Sequence, residues 1–305
     1  MDILKIQNLS KSFGNSKIID DLSFSVPEHS IFGFIGQNGA GKTTTMKMVL
    51  GLLKADSGSI TVFNEKVSFG ETKTNKYIGY LPDVPEFYGY MRPKEYLKLC
   101  GEIGGLSKEK IKVRSDEMLS LVGLEGANKK ISGFSRGMKQ RLGIAEALLN
   151  EPKLLICDEP TSALDPVGRK EILDILKQVK GKTTVIFSTH ILSDVERICD
   201  NIALLNKGRL ALSGKLAEVK AKHKADGVNV EFAINEDKEK FVMLPKVVPF
   251  LNYSEQTEAS IIIHTENVAK TEAMILELLA ENKILPIKLE VTEPSLEGLF
   301  MEVIK

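Results

Sequence analysis

The sequence predicts an α/β chain organised around a parallel sheet, and three observations carry that prediction. Short apolar segments alternate with segments of helical spacing over the first two-thirds of the chain. A glycine-rich loop joins one apolar segment to an amphipathic helix, and another apolar segment ends in two adjacent acids. With 305 residues, two domains are expected, and 43% apolar against 27% charged residues allows each a sizeable core.

Taken in order, Asp2–Gln7 alternates apolar and polar residues, and Lys17–Val26 follows a Gly-Asn turn as a second half-buried strand. Ile31–Ile35 is a continuous apolar run, the pattern of a strand buried on both faces. Thr43–Leu53 places Met46, Val49, Leu50 and Leu53 on one helical side. Tyr77–Leu81 reads as a strand stopped by Pro82, and Pro93 to about Asn150 reads as mostly helical, interrupted by glycines at 101, 104, 105, 123 and 126. Apolar strands recur at Leu154–Cys157, Thr183–Ser188 and Asn201–Leu205, with a helix over Pro166–Lys180 between the first two.

The texture changes after Gly214. Lys215–Lys224 reads as a Lys-rich helix or linker with a solvated face, followed by a smaller α+β pattern. Its strands are expected at Val228–Ile234, Ser260–His264 and Leu285–Val291, and its helices at Asn267–Ala280 and from Pro294 onward. The domain boundary is placed at 220/221, giving domains 1–220 and 221–305, with a helical lobe at about 84–148.

Lysine plus arginine equals aspartate plus glutamate at 41 each, which argues against a nucleic-acid partner bound through bulk positive charge. Three widely spaced cysteines, Cys100, Cys157 and Cys199, form neither a disulfide framework nor a metal pair and suit a reducing compartment. No apolar run approaches the roughly 20 residues of a membrane helix. The start Met1-Asp2-Ile3-Leu4-Lys5 lacks a signal-peptide pattern.

Gly36-Gln37-Asn38-Gly39-Ala40-Gly41-Lys42-Thr43 fits G-x-x-x-x-G-K-[ST] between an apolar strand and a helix. Glycines let the backbone wrap a phosphate with N–H groups inward, and the helix N-terminus adds its positive end. Lys42 would reach the β- and γ-phosphates, and the Thr43 hydroxyl would hold Mg²⁺. Asp158-Glu159, at the tip of the strand Lys153–Cys157, supplies one carboxylate for Mg²⁺ and a second to polarise an attacking water.

Phe134-Ser135-Arg136-Gly137-Met138-Lys139-Gln140-Arg141 resembles the signature segment, usually L-S-G-G-Q, of ATP-binding-cassette (ABC) ATPases, and it precedes the Asp-Glu strand as in that family. Ser162-Ala163-Leu164-Asp165 resembles the family's D-loop, Ser188-Thr189-His190 its switch histidine, and Phe13 the aromatic that stacks on adenine. The likeness covers about residues 1–220. The tail Glu293-Pro294-Ser295-Leu296-Glu297-Gly298-Leu299-Phe300 is similar to those of bacterial ABC-2-type exporter ATPases, a group that includes antibiotic- and bacteriocin-resistance exporters.

This resemblance implies a P-loop cassette (a RecA-like core with antiparallel β and helical subdomains) plus a small C-terminal α+β domain. It implies an ATPase using ATP and Mg²⁺, with Glu159 and His190 catalytic and Thr43, Asp83 and Asp158 at the metal. Phe13, Gly36, Asn38, Gly39, Ala40, Gly41, Lys42, Thr43, Thr44, Ser135 and Gly137 are the implied nucleotide contacts. Ser135 and Gly137 would face the ATP of a second cassette in a head-to-tail homodimer, coupled to a separate transmembrane permease on the cytoplasmic face of the membrane.

Two departures stand out. Arg136 and Met138 replace a small glycine and the glutamine of the family's signature, while Ser135 and Gly137 are kept. Asp83, in Tyr80-Leu81-Pro82-Asp83, stands where most cassettes place a glutamine that touches Mg²⁺ and the attacking water, and reads either as a metal-shell group or as a loop residue. Phe13 also fits a packed hairpin residue. Phe87, Tyr88 and Tyr90 fit either a docking site for the permease or the core of the helical lobe. His29, His223 and His264 read as surface or loop residues, and Cys157 as a small buried strand residue. Competing functions are a soluble non-transport cassette ATPase and an importer cassette with a regulatory C-terminal domain. One phosphate loop, no sustained heptads and no basic excess weigh against the first.

Lys42→Ala is expected to abolish useful nucleotide binding, because a charge-assisted contact contributes about 1.5–3 kcal/mol and this lysine makes several. Equilibrium titration with ATP checks it, and unchanged affinity would remove the phosphate-loop assignment.

Overall fold

The first two strands pair edge to edge, and their apolar alternation gives the pair one buried face. β1 (Asp2–Phe13) and β2 (Ser16–Pro27) pair antiparallel across the Gly14-Asn15 turn, where Gly14 takes a left-handed φ of +55°. Their inward residues Ile3, Ile6, Leu9, Ile19, Leu22 and Val26 are buried. In the computed structural model, residues 1–70, 73–222, 227–265, 267–292 and 296–304 are described. His223, the end of the Lys-rich run, and Glu293-Pro294-Ser295 of the tail motif lie outside them.

β3 (Ile31–Ile35) is buried at all five positions and leads through the glycine loop into α1 (Lys42–Val49). That helix stops four residues before the expected Leu53, because Gly51 turns left-handed at φ +69°. β4 (Ser57–Val62) and β5 (Glu65–Lys66) extend the antiparallel sheet, giving the order β2-β1-β4-β5. β6 (Ile78–Leu81) then enters the second sheet.

The predicted helical stretch divides into α2 (Pro93–Ile103), α3 (Lys108–Leu121) and α4 (Arg136–Leu148). Gly105, Gly123 and Gly126 all take positive φ in the connections. Ser107 caps α3 by accepting from the Lys110 N–H. α4 follows the exit of β6 closely along one side. A Cβ on Gly79 would stand 2.1 Å from the Ala147 carbonyl oxygen, and one on Gly143 would stand 2.5 Å from Leu81 Cδ1.

β7 (Leu154–Asp158), α5 (Pro166–Val179), β8 (Thr184–Thr189), α6 (Leu192–Ile198), β9 (Asn201–Asn206) and β10 (Arg209–Lys215) complete the first unit. The six-stranded sheet has the order β10-β9-β3-β8-β7-β6; β9, β3, β8, β7 and β6 run parallel, while β10 returns antiparallel to β9. The two sheets meet through stacked rings, Phe24 to Phe32 at 5.6 Å and Phe24 to Phe34 at 5.2 Å. On the opposite face of β3, Gly33 leaves room for α6: a Cβ there would lie 2.9 Å from Val195 Cγ1.

Two compact units divide between Leu216 and Ala217, the division falling at the start of α7 (Leu216–Lys222). The second unit holds β11 (Gly227–Phe232), α8 (Asn235–Val242), β12 (Ser254–Gln256), β13 (Ser260–His264), α9 (Val268–Glu281), β14 (Pro286–Val291) and α10 (Leu296–Ile304). Its antiparallel sheet has the order β12-β13-β11-β14. Val228, Val230, Phe232, Ile261 and Ile263 on one sheet face pack with Phe241 of α8 and Ile275, Leu278 and Leu279 of α9. Asn267 caps α9 by accepting from the Lys270 N–H. Among the described residues, no helix is long and apolar enough to cross a membrane.

Gly79→Ala is expected to lower stability by about 1–3 kcal/mol, the range for a group forced into a packed contact. Gly133→Ala, with nothing within 4 Å of its would-be Cβ and no positive φ, should stay within about 0.5 kcal/mol. Urea denaturation of both variants checks the difference.

Candidate functional site

Parallel pairing aligns the carboxyl ends of four strands. Ile35 of β3 pairs with Thr189 of β8, Ser188 with Asp158 of β7, and Cys157 with Leu81 of β6. Each chain then leaves its strand on the same edge, so Gly36, His190, Glu159 and Asp83 emerge side by side from segments far apart in sequence. Ligand sites of open α/β sheets form at this edge.

The glycine loop has the backbone freedom its motif requires at Gly41, where φ is +109° and a Cβ would lie 2.4 Å from Ile19 Cδ1. The Ala40 N–H bonds the Gln37 carbonyl at 3.1 Å and closes the loop. No side chain caps α1 and its first turn carries no acid, so the N-terminal N–H groups are left for an anionic partner. Lys42, only 6% exposed, donates to the Gly36 carbonyl at 2.7 Å and the Gln37 carbonyl at 3.3 Å. Its ammonium also lies 3.1 Å from Glu159 Oε1.

Glu159 is held in an unusual backbone conformation, φ +48°, directly after β7. Its N–H donates to the Ser188 carbonyl at 3.0 Å and to Ser188 Oγ at 3.3 Å, and Ser188 Oγ in turn donates to buried Asp158. Oε2 of Glu159 is 2.8 Å from His190 Nδ1. Oε1 is buried and makes no hydrogen bond; the Lys42 ammonium approaches it as a charge without hydrogen-bond geometry. Asp83 is less acidic than an ordinary aspartate because partial burial penalises its charge; Arg136 and His190 work against that rise, while Glu159 and Asp158 add to it.

A cavity of about 540 Å³ gathers these groups, lined by Phe13, Ile18, Asn38, Gly39, Gly41, Lys42, Thr43, Thr44, Asp83, Glu159, Ser162 and His190. That volume is in the range of small-molecule sites. Ten of the sequence-selected residues therefore share one cavity. Gly36, Ala40 and Asp158 do not line it: Gly36 packs under the Leu205 carbonyl and Asp158 lies buried beneath. Ser135 and Gly137 are also outside this cavity. Ser135 is exposed at the head of α4, where its hydroxyl accepts from the Met138 N–H at 3.2 Å. Phe13 is 51% exposed at the cavity's rim, with Lys11 Nζ 5.3 Å from its ring centre.

Two lining residues, Ile18 and Ser162, were not selected as site residues. Ser162 had a signal in the Ser-Ala-Leu-Asp segment; Ile18 looked like any strand residue and had none. Of the other residues singled out, His29 sits in an exposed turn with φ +60°, while His264 is not in a loop: it ends β13, half-buried, 3.5 Å from Glu255. Burial pushes the Cys157 thiol well above its usual range. Phe87 packs edge-on against Tyr96 at 5.1 Å, whereas Tyr88 and Tyr90 remain exposed at 55% and 67%.

The family model for ABC transporters matches residues 19–162, and that for the C-terminal domain of DrrA1-3-like ATP-binding proteins matches residues 214–304. The bacitracin transport ATP-binding protein BcrA of Bacillus licheniformis is 36% identical over 99% of this chain and 97% of its own. The linearmycin resistance ATP-binding protein LnrL of Bacillus subtilis is 34% identical over 99% and 98%. Among solved structures, an ATP-binding subunit of an ABC transporter aligns with a TM-score of 0.65 and 32% identity, over 72% of this chain and 92% of that one. With relatives this similar along nearly its whole length, the chain belongs to the ATP-binding subunits of ABC transporters, the family that hydrolyses ATP to power transport.

Proposed function

We propose that this chain powers export of a drug, peptide or lipid-like compound through a separate membrane permease, working as a head-to-tail homodimer with ATP held between the subunits. The observation that carries the reading is the shared cavity, in which the phosphate-loop lysine, the strand-end glutamate and the switch histidine meet. Full-length similarity to proteins named for bacitracin transport and linearmycin resistance favours export over the importer and non-transport readings.

The loop N–H groups and Lys42 bind the triphosphate, and Phe13 offers a ring face for the base. Hard oxygen donors suit Mg²⁺, which needs one or two protein oxygens and keeps its remaining places for water and phosphate. Thr43 and Asp158 fit that demand, with Asp83 at the rim, and no cluster of three His, Cys, Asp or Glu among the described residues forms a cage of its own. Bound there, the ion would supply charge neutralisation on the phosphate oxygens. Glu159 orients a water and takes its proton as that water attacks the γ-phosphorus and the bond to ADP breaks. His190, in contact with the Glu159 carboxylate, fixes its direction and reaches toward the γ-phosphate.

Ser135 is exposed at the start of α4 and outside the cavity of its own chain, which supports its acting on the nucleotide of a second copy. Exposed Tyr88 and Tyr90 support a permease contact on the helical lobe. The position is the cytoplasmic face of the membrane.

Glu159→Gln should bind ATP normally yet hydrolyse it roughly 10²–10⁴-fold more slowly, the usual contribution of a general base, and accumulate an ATP-bound dimer. Steady-state phosphate release with light scattering tests it, and near-normal turnover would remove Glu159 from the chemistry. Ser135→Arg should leave ATP binding by the monomer intact but prevent ATP-driven dimers; dimers of that variant on size exclusion would show that the α4 N-terminus does not meet a partner's nucleotide.

A further inference from the structure

Two of the three residues that depart from the family's sequence pattern, Asp83 and Arg136, meet each other. Arg136 Nη2 lies 3.3 Å from Asp83 Oδ1, across 53 positions of sequence. Three more residues of α4 keep that meeting in place. Gln140, one turn on, donates from Nε2 to the Asp83 carbonyl at 2.7 Å. Gly143 lets the helix press on Leu81, and Ala147 runs against Gly79. Positions 136, 140, 143 and 147 follow a helical stripe, so one face of α4 lies antiparallel along the exit of β6. These contacts set that line, and the guanidinium reaches the carboxylate from it.

Asp83 lines the nucleotide cavity beside Glu159, with Asp158 beneath. An acid at this place adds a third carboxylate where a triphosphate must settle, a repulsion that a neutral side chain would not produce. The Arg136 guanidinium is the cation that offsets it. Because the pair is a little under half exposed, at 43% and 47%, its contribution to folding is small and its effect falls on the charge the cavity presents.

We propose that Arg136 is a positioning residue for Asp83: it holds the carboxylate at the rim of the cavity and cancels its charge, so that an acid is compatible with triphosphate binding there. The proposal rests on the cavity being the ATP site. It places the start of α4 in contact with the nucleotide site of its own chain, in addition to the role of Ser135 toward a partner.

The test is a double-mutant cycle of the full chain with Arg136→Gln, Asp83→Asn and both together, reading ATP affinity by equilibrium titration in EDTA, where no metal ion contributes. Arg136→Gln should weaken binding roughly fivefold, the upper range for a part-exposed ion pair. Asp83→Asn, which leaves the Arg136 charge uncancelled, should bind more tightly than the unaltered chain, and the double variant should return to within about twofold of the unaltered chain. The Arg136→Gln defect should shrink in about 1 M salt, where the screening length falls to about 3 Å. A loss from Arg136→Gln that persists undiminished in the Asp83→Asn background would overturn the proposal, since Arg136 would then act on something other than Asp83; so would no loss at all. Failure of the unaltered chain itself to bind triphosphate is a distinct result that removes the ATP-site reading first.

Discussion

Register between parallel strands is the constraint on which the site depends. Because Ile35 lies opposite Thr189, Ser188 opposite Asp158, and Cys157 opposite Leu81, the groups that follow each strand are laid out in a row. A slip of one residue would swap the faces on which each run's side chains pack and carry Glu159 away from both Lys42 and His190. The hydrophobic content of these strands therefore governs how the candidate site is assembled. Burial of Ile31–Ile35 and Leu154–Asp158 at every position is what holds the glycine loop and the acid pair in one place.

The same burial explains which parts of the fold could be read in advance. A strand covered on both faces must be largely apolar, so the runs 31–35, 154–157 and 202–205 are conspicuous, and Ser260–His264 is expected at its observed limits. β4 begins Ser-Gly-Ser with exposed residues and has too little contrast to be seen. β10 carries Arg, Ser, Gly and Lys on an edge, and the seven-residue α6 is too short for its period to register. In the site, Lys42, Thr43 and Glu159 were legible because phosphate chemistry restricts their residue types and spacing. The contact between Asp83 and Arg136 was not, because no local rule links side chains 53 positions apart.

The second unit follows the same physics on a smaller scale. Its sheet buries Val228, Val230, Ile261 and Ile263 on one face under α8 and α9, and the Phe232 ring meets that of Phe241 at a tilt, 5.4 Å between centres. This is a core in its own right, so residues 217–305 are a folded unit and not a tail trailing from the cassette.

Charge competition within the cavity ties binding to chemistry. Glu159 keeps one buried oxygen without a hydrogen bond, balanced only by the ammonium of Lys42 at 3.1 Å. On the proposed reading that ammonium also meets the β- and γ-phosphates, and a point charge drawn to a triphosphate serves the carboxylate less. On the proposed mechanism, binding of ATP would loosen the hold of Lys42 on Glu159 Oε1, while the His190 contact to Oε2 would remain. The φ of +48° at Glu159, braced by two bonds from its N–H to Ser188, fixes the backbone from which that carboxylate extends. With Glu159 as the proposed base, the arrival of ATP would release a carboxylate paired to Lys42 at the moment a phosphate is present for water to attack.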